Sequence, residues 1–208
     1  MKNFVIAGAG GFGREVYSYL LNALENSGNN VRGFLDDNPR ALDGFGFARK
    51  IISGFASYAP LEGDAVIFAV ANPKFKRQAA QILIERGANF ESFIHPKAAI
   101  SKYAKIGTGV VVAPFCVVEA DAQIGDFVSV NVAAKISNSA KIGKFSTISS
   151  NCVVGGGAEI KDGAFMASSS ILRGGATMFE NSFLGANSYA QKDVKEGETA
   201  FGNPALPL

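Results

Sequence analysis

Apolar side chains recur with a strict period of six residues through the second half of the chain. An apolar residue stands at every sixth position from Ile94 to Ala190, and four residues after each comes a small one, mostly alanine, serine, cysteine or valine. Neither the period of about 3.6 residues of a helix nor the alternation of a strand produces this register. Hexapeptide repeats of a parallel β-helix do. The pattern therefore predicts a β-helix over residues 91–208, with the larger residue inside each coil and the small one at a tight turn.

The first half has a different pattern, which is typical of a nucleotide-binding α/β domain. A buried strand, Phe4–Ala7, leads into the glycine turn Gly8–Gly13, and helical periodicity follows over residues 14–26. In this G-x-G-x-x-G context the glycines let a phosphate approach the backbone, and the start of the helix offers free N–H groups. A second strand ends at Asp36 and Asp37, where an acidic side chain meets a ribose in such folds.

The candidate nucleotide-binding residues are those of the glycine turn and the two aspartates: Gly8, Gly10, Gly11, Phe12, Gly13, Asp36 and Asp37. Only 93 residues precede the repeat, with one further clear strand at residues 65–70 and a helix around residues 76–86. A dinucleotide requires two mononucleotide-binding halves, so we expect a short Rossmann-like domain over residues 1–90 that holds one nucleotide. This size argues against an NAD-dependent oxidoreductase. Glycines that serve only tight packing remain the alternative.

The amino-acid composition excludes several classes of protein. The 208 residues are 48% hydrophobic with a net charge of +2, which excludes intrinsic disorder and gives no basis for nucleic-acid binding. No apolar run reaches the roughly 18 residues of a membrane helix, and we expect a cytoplasmic protein without membrane insertion. The single histidine, His95, argues against a histidine-based metal site, so no metal is expected. Cys116 and Cys152 lie two predicted coils apart, too far for a disulfide.

The whole chain resembles the nucleotide-sugar acyltransferases of the NeuD/PglD type, which are sialic acid O-acetyltransferases and UDP-amino-sugar N-acetyltransferases. The resemblance rests on the start GAGGFGRE, the FLDD that ends the second strand, the FIHP that opens the coils, the hexapeptides and the closing GNPA. It implies a left-handed β-helix, a homotrimer, and acetyl-CoA bound between neighbouring helices. It also implies that the glycine turn and the two aspartates contact a uridine nucleotide, and that His95 is structural.

The departures from this family concern the chemistry. The family's general base is a histidine, and the matching position here is Asn138, whose amide cannot take up a proton at neutral pH. Two more family histidines are replaced by Thr147 and Phe12, and Arg173 stands at a usual glycine. By position, the acetyl-CoA contacts of the family correspond to Thr147, Ser168 and Ala186. Arg173 is a candidate clamp for a CoA phosphate, because a guanidinium binds phosphate through two hydrogen bonds.

Three hypotheses follow from Asn138. An N-acyltransferase needs no protein base if the sugar amine binds neutral, and Asn138 would then orient that amine. Alternatively, Glu119, about one coil away on the same face, or Asp121 beside it acts as base, which would suit an O-acetyltransferase. The third hypothesis is a catalytically inactive nucleotide-sugar-binding protein.

We favour the first hypothesis, because a neutral amine attacks unaided whereas a hydroxyl must lose its proton as it attacks. The expected activity is transfer from acetyl-CoA, or another acyl-CoA, to the amine of a UDP-linked amino sugar for surface glycan synthesis. The sugar, the nucleotide and the size of the acyl group are left open.

Overall fold

The computed structural model describes residues 2–25 and 27–208. It divides into two compact units, Met1–Phe93 and Ile94–Leu208. The first unit alternates strands and helices, and the second is built almost entirely of two-residue strands.

The first unit is a parallel five-stranded sheet with two helices. Its elements are β1 (Asn3–Ala7), α1 (Gly11–Leu24), β2 (Asn30–Leu35), β3 (Ile51–Ser53), β4 (Asp64–Phe68), α2 (Pro73–Glu85) and β5 (Phe90–Glu91). The strand order is β3-β2-β1-β4-β5, and every neighbouring pair is parallel. β1 lies in the centre with four of its five residues buried. The carboxyl ends of β2, β1 and β4 therefore meet at one edge of the sheet, where α/β proteins bind their ligands.

The bounds of several elements in this unit differ from the sequence-based expectation. Helix α1 begins at Gly11, three residues before the predicted start, because the low helix propensity of glycine hides the first turn in the hydrophobic pattern. Asn26, the last residue of the predicted helix, lies outside the described residues. Strands β3 and β5 have three and two residues, too few to display a period, and were not predicted.

The second unit is a stack of coils with three parallel sheets as its sides. We call them the apolar, charged and long sheets. The apolar sheet contains β7 (Ala99–Ile100), β10 (Val117–Val118), β13 (Lys135–Ile136), β16 (Val153–Val154), β19 (Ile171–Leu172) and β22 (Tyr189–Ala190). The charged sheet contains β8 (Lys105–Ile106), β11 (Gln123–Ile124), β14 (Lys141–Ile142), β17 (Glu159–Ile160) and β20 (Thr177–Met178).

The long sheet begins at the boundary between the units. It contains β6 (Phe93–Ile94), β9 (Val111–Val112), β12 (Ser129–Val130), β15 (Thr147–Ile148), β18 (Phe165–Met166), β21 (Phe183–Leu184), β23 (Thr199–Gly202) and the antiparallel β24 (Ala205–Pro207). Within each coil the chain passes from the long to the apolar to the charged sheet. We call the corners that it turns, in that order, the first, second and third corners.

Strand partners in neighbouring coils are 18 residues apart, so one coil equals three hexapeptides. Val117 pairs with Lys135, and Lys135 pairs with Val153. The repeating apolar residues point inward from Val112 to Ala190, and Ile136 and Ile148 are fully buried. This confirms the predicted hexapeptide β-helix.

From Val110 to Val194 the small residues of the repeat are buried where the chain turns. Cys116 and Cys152 are buried and free. Ile94 is an exception among the larger residues, since 40% of its surface is exposed at the end of the stack, where no coil of the helix precedes it.

Truncation of an inward residue should cost far more stability than truncation of its outward neighbour. Ile136→Ala removes a side chain that is fully buried and should lower the free energy of unfolding by about 2–5 kcal/mol. Lys135→Ala, on the exposed side of the same strand, should change it by about 0.5 kcal/mol or less. Urea denaturation followed by circular dichroism measures both, and equal losses would contradict the assigned interior.

Candidate active site and nucleotide cavity

A cavity of about 220 Å³ lies at the carboxyl edge of the sheet in the first unit. Its lining combines the glycine turn after β1 with residues that follow β2, β3 and β4: Gly8, Gly10, Gly11, Phe12, Asp36, Phe55, Ala69, Val70, Ala71, Asn72 and Phe75. A neighbouring cleft of about 500 Å³ shares Asp36 and adds Asp37. The structure therefore brings most of the sequence-predicted nucleotide-binding residues to one place.

The glycines of the turn have two different functions. A Cβ on Gly13 would lie 1.9 Å from the carbonyl oxygen of Gly8, and one on Gly8 would lie 2.7 Å from that of Ala69. These two glycines permit close packing of the backbone. A Cβ on Gly10 or Gly11 would meet no atom within 4 Å, so the space in front of these two residues is open to a ligand.

The two aspartates hold the loops around the cavity. One carboxylate oxygen of Asp36 accepts the N–H of Ala9 at 2.8 Å and the other accepts that of Asn38 at 2.9 Å. The carboxylate of Asp37 accepts the N–H of Phe55 at 2.9 Å. A carboxylate has about four acceptor sites, so Asp36 combines this structural task with free acceptor capacity at both cavities.

In the second unit, Asn138 lies exposed at the second corner, between β13 and β14. Its backbone N–H donates to the carboxylate of Glu119 in the preceding coil at 2.8 Å. Its side-chain oxygen lies 3.1 Å from the position that a Cβ of Gly156, in the following coil, would take. The Asn138 carboxamide therefore leans along the corner towards Gly156.

Glycines continue this corner beyond Asn138. We call Gly155, Gly156, Gly157, Gly174 and Gly175 the glycine shelf. A Cβ on Gly155 would lie 2.3 Å from the nitrogen of Gly174, so the coils are in close contact there. The N–H groups of Gly156 and Gly174 donate to no protein acceptor within residues 2–25 and 27–208.

Sequence reasoning missed the glycine shelf as part of the candidate site. The sequence does contain a signal for it, because the glycine clusters 155–157 and 174–175 lie one coil apart. Their meaning depends on where the corner lies and on which N–H groups the coil ladder leaves free.

The remaining predicted residues lie at two corners and on the long sheet. Asp121 and Arg173 are exposed at the second corner, and neither side chain has a protein partner among the described residues. Ser168 and Ala186 are exposed at the first corner, whereas Thr147 is buried on the long sheet. Six residues separate equivalent positions of the two corners, which corresponds to at most about 20 Å. Within one chain the two groups therefore lie at different corners, with the apolar sheet between them.

The charged sheet has a cleft of its own, of about 590 Å³. Glu159 pairs there with both Lys141 and Lys161, and these hydrogen-bonded ammonium groups hold the pKa of Glu159 at about 2. Lys144 pairs with Asp126 at 2.9 Å. The lining as a whole has four lysines and four carboxylates, whose charges balance, and it does not include Asn138. No group of three or more metal-ligating side chains comes together in the described part of the chain.

Comparisons with known proteins agree with this architecture. Residues 3–83 match the model of the PglD N-terminal domain. The UDP-N-acetylbacillosamine N-acetyltransferase of Bacillus subtilis (strain 168) is 32% identical over 117 residues, which are 54% of this chain and 51% of that relative. The chain thus aligns with about half of the length of this curated relative.

The acetyltransferase domain of PglB from Neisseria gonorrhoeae FA1090, solved in complex with acetyl coenzyme A, is similar over 100% of this chain and 99% of its own. The TM-score is 0.89 and the identity is 30%. The chain belongs to the NeuD/PglD-type nucleotide-sugar acyltransferases. This confirms the family and the left-handed β-helix expected from the sequence.

A structure of lower sequence identity has the same fold. PerB from Caulobacter crescentus, in complex with CoA and GDP-perosamine, covers 100% of this chain with a TM-score of 0.87 at 20% identity. As for membranes, neither helix in the described part of this chain is long and apolar enough to cross one.

Substitutions at two glycines of the turn should separate packing from access. Gly13→Ala places a methyl group 1.9 Å from a backbone oxygen and should destabilise the first unit by about 3 kcal/mol or more. Gly11→Ala meets no atom within 4 Å and should leave stability unchanged or raise it by up to about 1 kcal/mol. Thermal denaturation of both variants tests this, and a Gly13→Ala protein as stable as the wild type would contradict it.

Proposed function

We propose that the protein is an acyl-CoA-dependent N-acyltransferase that acylates the amine of a nucleotide-linked amino sugar. The observation that supports this most directly is the second corner. There the Asn138 carboxamide offers an acceptor for an amine N–H, and the free N–H of Gly156 beside it offers a donor for a carbonyl oxygen. Both residues are exposed, so the sugar amine and the acyl thioester can bind to them side by side.

The proposed reaction needs no protein base. The neutral amine attacks the carbonyl carbon of the thioester. The Asn138 side-chain oxygen accepts a hydrogen bond from one N–H of the amine and so orients the lone pair of the amine nitrogen. The Gly156 N–H donates to the carbonyl oxygen as negative charge develops there, the type of stabilisation that is often the largest in acyl transfer. The C–S bond then breaks, and the leaving sulfur takes the proton that the new amide loses, so that free CoA thiol is released.

The structure gives less support to an O-acyltransferase that uses a carboxylate. Glu119 is bonded to the Asn138 backbone N–H, and Asp121 is an exposed turn residue with a φ of 61°. A hydroxyl loses its proton during attack and gains about 10²–10⁴-fold from a base. An amine gains less, because it is a nucleophile in its neutral form.

For the nucleotide, we propose the cavity of the first unit. The open space in front of Gly10 and Gly11 suits a phosphate at the start of α1, and Asp36 suits a ribose hydroxyl. We favour a UDP-linked sugar, which the curated Bacillus relative supports by its name. Phe12 would line the mouth of the site in place of the family's histidine.

We further propose a homotrimer that works in the cytoplasm on precursors of surface glycans. The outward residues of the apolar sheet are mostly uncharged: Ala99, Val117, Val153, Ile171 and Tyr189, with Lys135 among them. Ile171 is 40% exposed although it is fully apolar. Copies related by a threefold rotation pack different surfaces together, so the first corner of one copy would meet the second corner of the next. That arrangement would unite Ser168 and Ala186 with Asn138.

The test of the function is a reaction followed by mass spectrometry. Purified protein is mixed with acetyl-CoA or longer acyl-CoAs and with UDP-, dTDP- and GDP-linked amino sugars. We expect the sugar to gain one acyl group and an equal amount of CoA thiol to appear, with acetyl-CoA and a UDP-linked sugar as the best pair.

A matched control uses the same nucleotide sugar with a hydroxyl in place of the amine, which should not react. If the protein binds the nucleotide sugar but neither binds acyl-CoA nor transfers an acyl group, it is the binding protein of the alternative hypothesis. A monomer in analytical ultracentrifugation would contradict the two-corner site.

Substitution of Asn138 should show whether this residue orients the amine or whether the position needs a base. Asn138→Ala should lower kcat about 10-fold, because the amine loses its positioning acceptor. Asn138→His introduces an imidazole with an ordinary pKa of about 6.5, and its pH–rate profile should gain a limb there that the wild type lacks. Profiles of kcat/KM between pH 5.5 and 9 measure this. A wild-type limb near pH 6.5 that disappears in Glu119→Gln would instead favour a carboxylate base.

A further inference from the structure

Asn138 differs from the following positions of its corner in one contact. Its backbone N–H donates to the Glu119 carboxylate, whose side chain reaches across from the preceding coil. The equivalent N–H groups of Gly156 and Gly174 have no such partner among residues 2–25 and 27–208. Along three successive coils of the second corner, the N–H of Asn138 thus has a side-chain acceptor, whereas those of Gly156 and Gly174 have no acceptor in the described chain.

The Asn138 side chain has no hydrogen bond of its own to the described residues. It is exposed and leans over Gly156, where no Cβ stands in its way. The direction of its carboxamide therefore depends on the backbone from which it projects. The Asn138 carbonyl oxygen accepts the N–H of Gly157 at 2.9 Å within the coil ladder. Its backbone N–H is held by a side chain, that of Glu119.

We propose that Glu119 is a positioning residue, which acts through the backbone N–H of Asn138 to hold the Asn138 carboxamide against the glycine shelf. This inference rests on the proposed function, in which that carboxamide orients the sugar amine. Glu119 takes up no proton in the reaction. Its carboxylate remains the acceptor of the Asn138 N–H while the amine proton leaves with the CoA sulfur.

A charged acceptor suits this task. Hydrogen bonds with an ionised partner are roughly twice as strong as neutral ones, and this one spans two coils at an exposed turn. Glutamine has the same length and also has an oxygen that can accept an N–H. Glutamine should therefore replace glutamate in positioning, whereas it cannot replace it as a base.

The test compares Glu119→Ala and Glu119→Gln with a control at another corner. The carboxylate of Asp162 accepts the N–H of Lys144 at 2.8 Å, a bond of the same kind between neighbouring coils at the third corner. Asp162→Ala removes this bond away from Asn138, so it measures the structural cost alone. Kinetics are measured on the full-length proteins with the best donor and acceptor of the mass-spectrometric assay.

We expect Glu119→Ala to lower kcat about 10- to 100-fold, the effect of a misplaced reacting group, with KM for both substrates changed about 2-fold or less. Glu119→Gln should keep kcat within about 3-fold of the wild type, and both variants should keep the shape of its pH profile. Asp162→Ala should leave kcat unchanged.

Three results would overturn the inference. Equal loss of kcat in Glu119→Gln and Glu119→Ala, with a changed pH profile, would make Glu119 a base. Equal loss in Asp162→Ala would make the effect one of general stability, and wild-type kcat in Glu119→Ala would remove Glu119 from the reaction. An inactive wild-type protein would overturn the proposed function itself, which distinguishes that failure from these three.

Discussion

The backbone hydrogen bonds between successive coils are the interaction on which the β-helix depends. They set a register of 18 residues, so residues far apart in sequence become neighbours at about 4.8 Å. The interior follows from this register, because each inward position is stacked on the same position of the next coil. Large and small residues must therefore recur at fixed places, and a single shift would move the apolar series out of the core.

The same register explains why a corner can become a reaction site. The ladder satisfies the backbone groups of the strands but leaves outer N–H groups at the corners without a backbone acceptor. At Asn138 a carboxylate from the neighbouring coil takes that N–H, and at Gly156 nothing in the described chain does. The glycines also let adjacent coils approach so closely that any Cβ on Gly155 would collide with backbone. Bare backbone is thus exposed beside one polar side chain.

The first unit uses glycine in a similar way but for a different surface. Gly8 and Gly13 allow strand, turn and helix to pack closely, while Gly10 and Gly11 leave the start of α1 open. Asp36 ties the turn to the loop after β2. A residue that is a candidate for binding the nucleotide therefore also holds the cavity in shape. A substitution at one of these residues therefore tests packing or access, depending on which glycine it replaces.

Period and spacing in the sequence determined the hexapeptide β-helix, the inward residues, the strand–glycine turn–helix unit and the family, because each is a local pattern repeated or placed at a fixed interval. The position of Glu119 one coil from Asn138 also followed from counting. The tertiary structure decided which groups remain available at that position. The Glu119 carboxylate is bonded to a backbone N–H, and Asn138 leans on the glycine shelf. Of the residues matched to acyl-CoA contacts, Ser168 and Ala186 lie at another corner, and Thr147 is buried on a strand. None of this is encoded in spacing alone, since hydrogen-bond partners and corner assignments exist only after 18-residue coils have stacked.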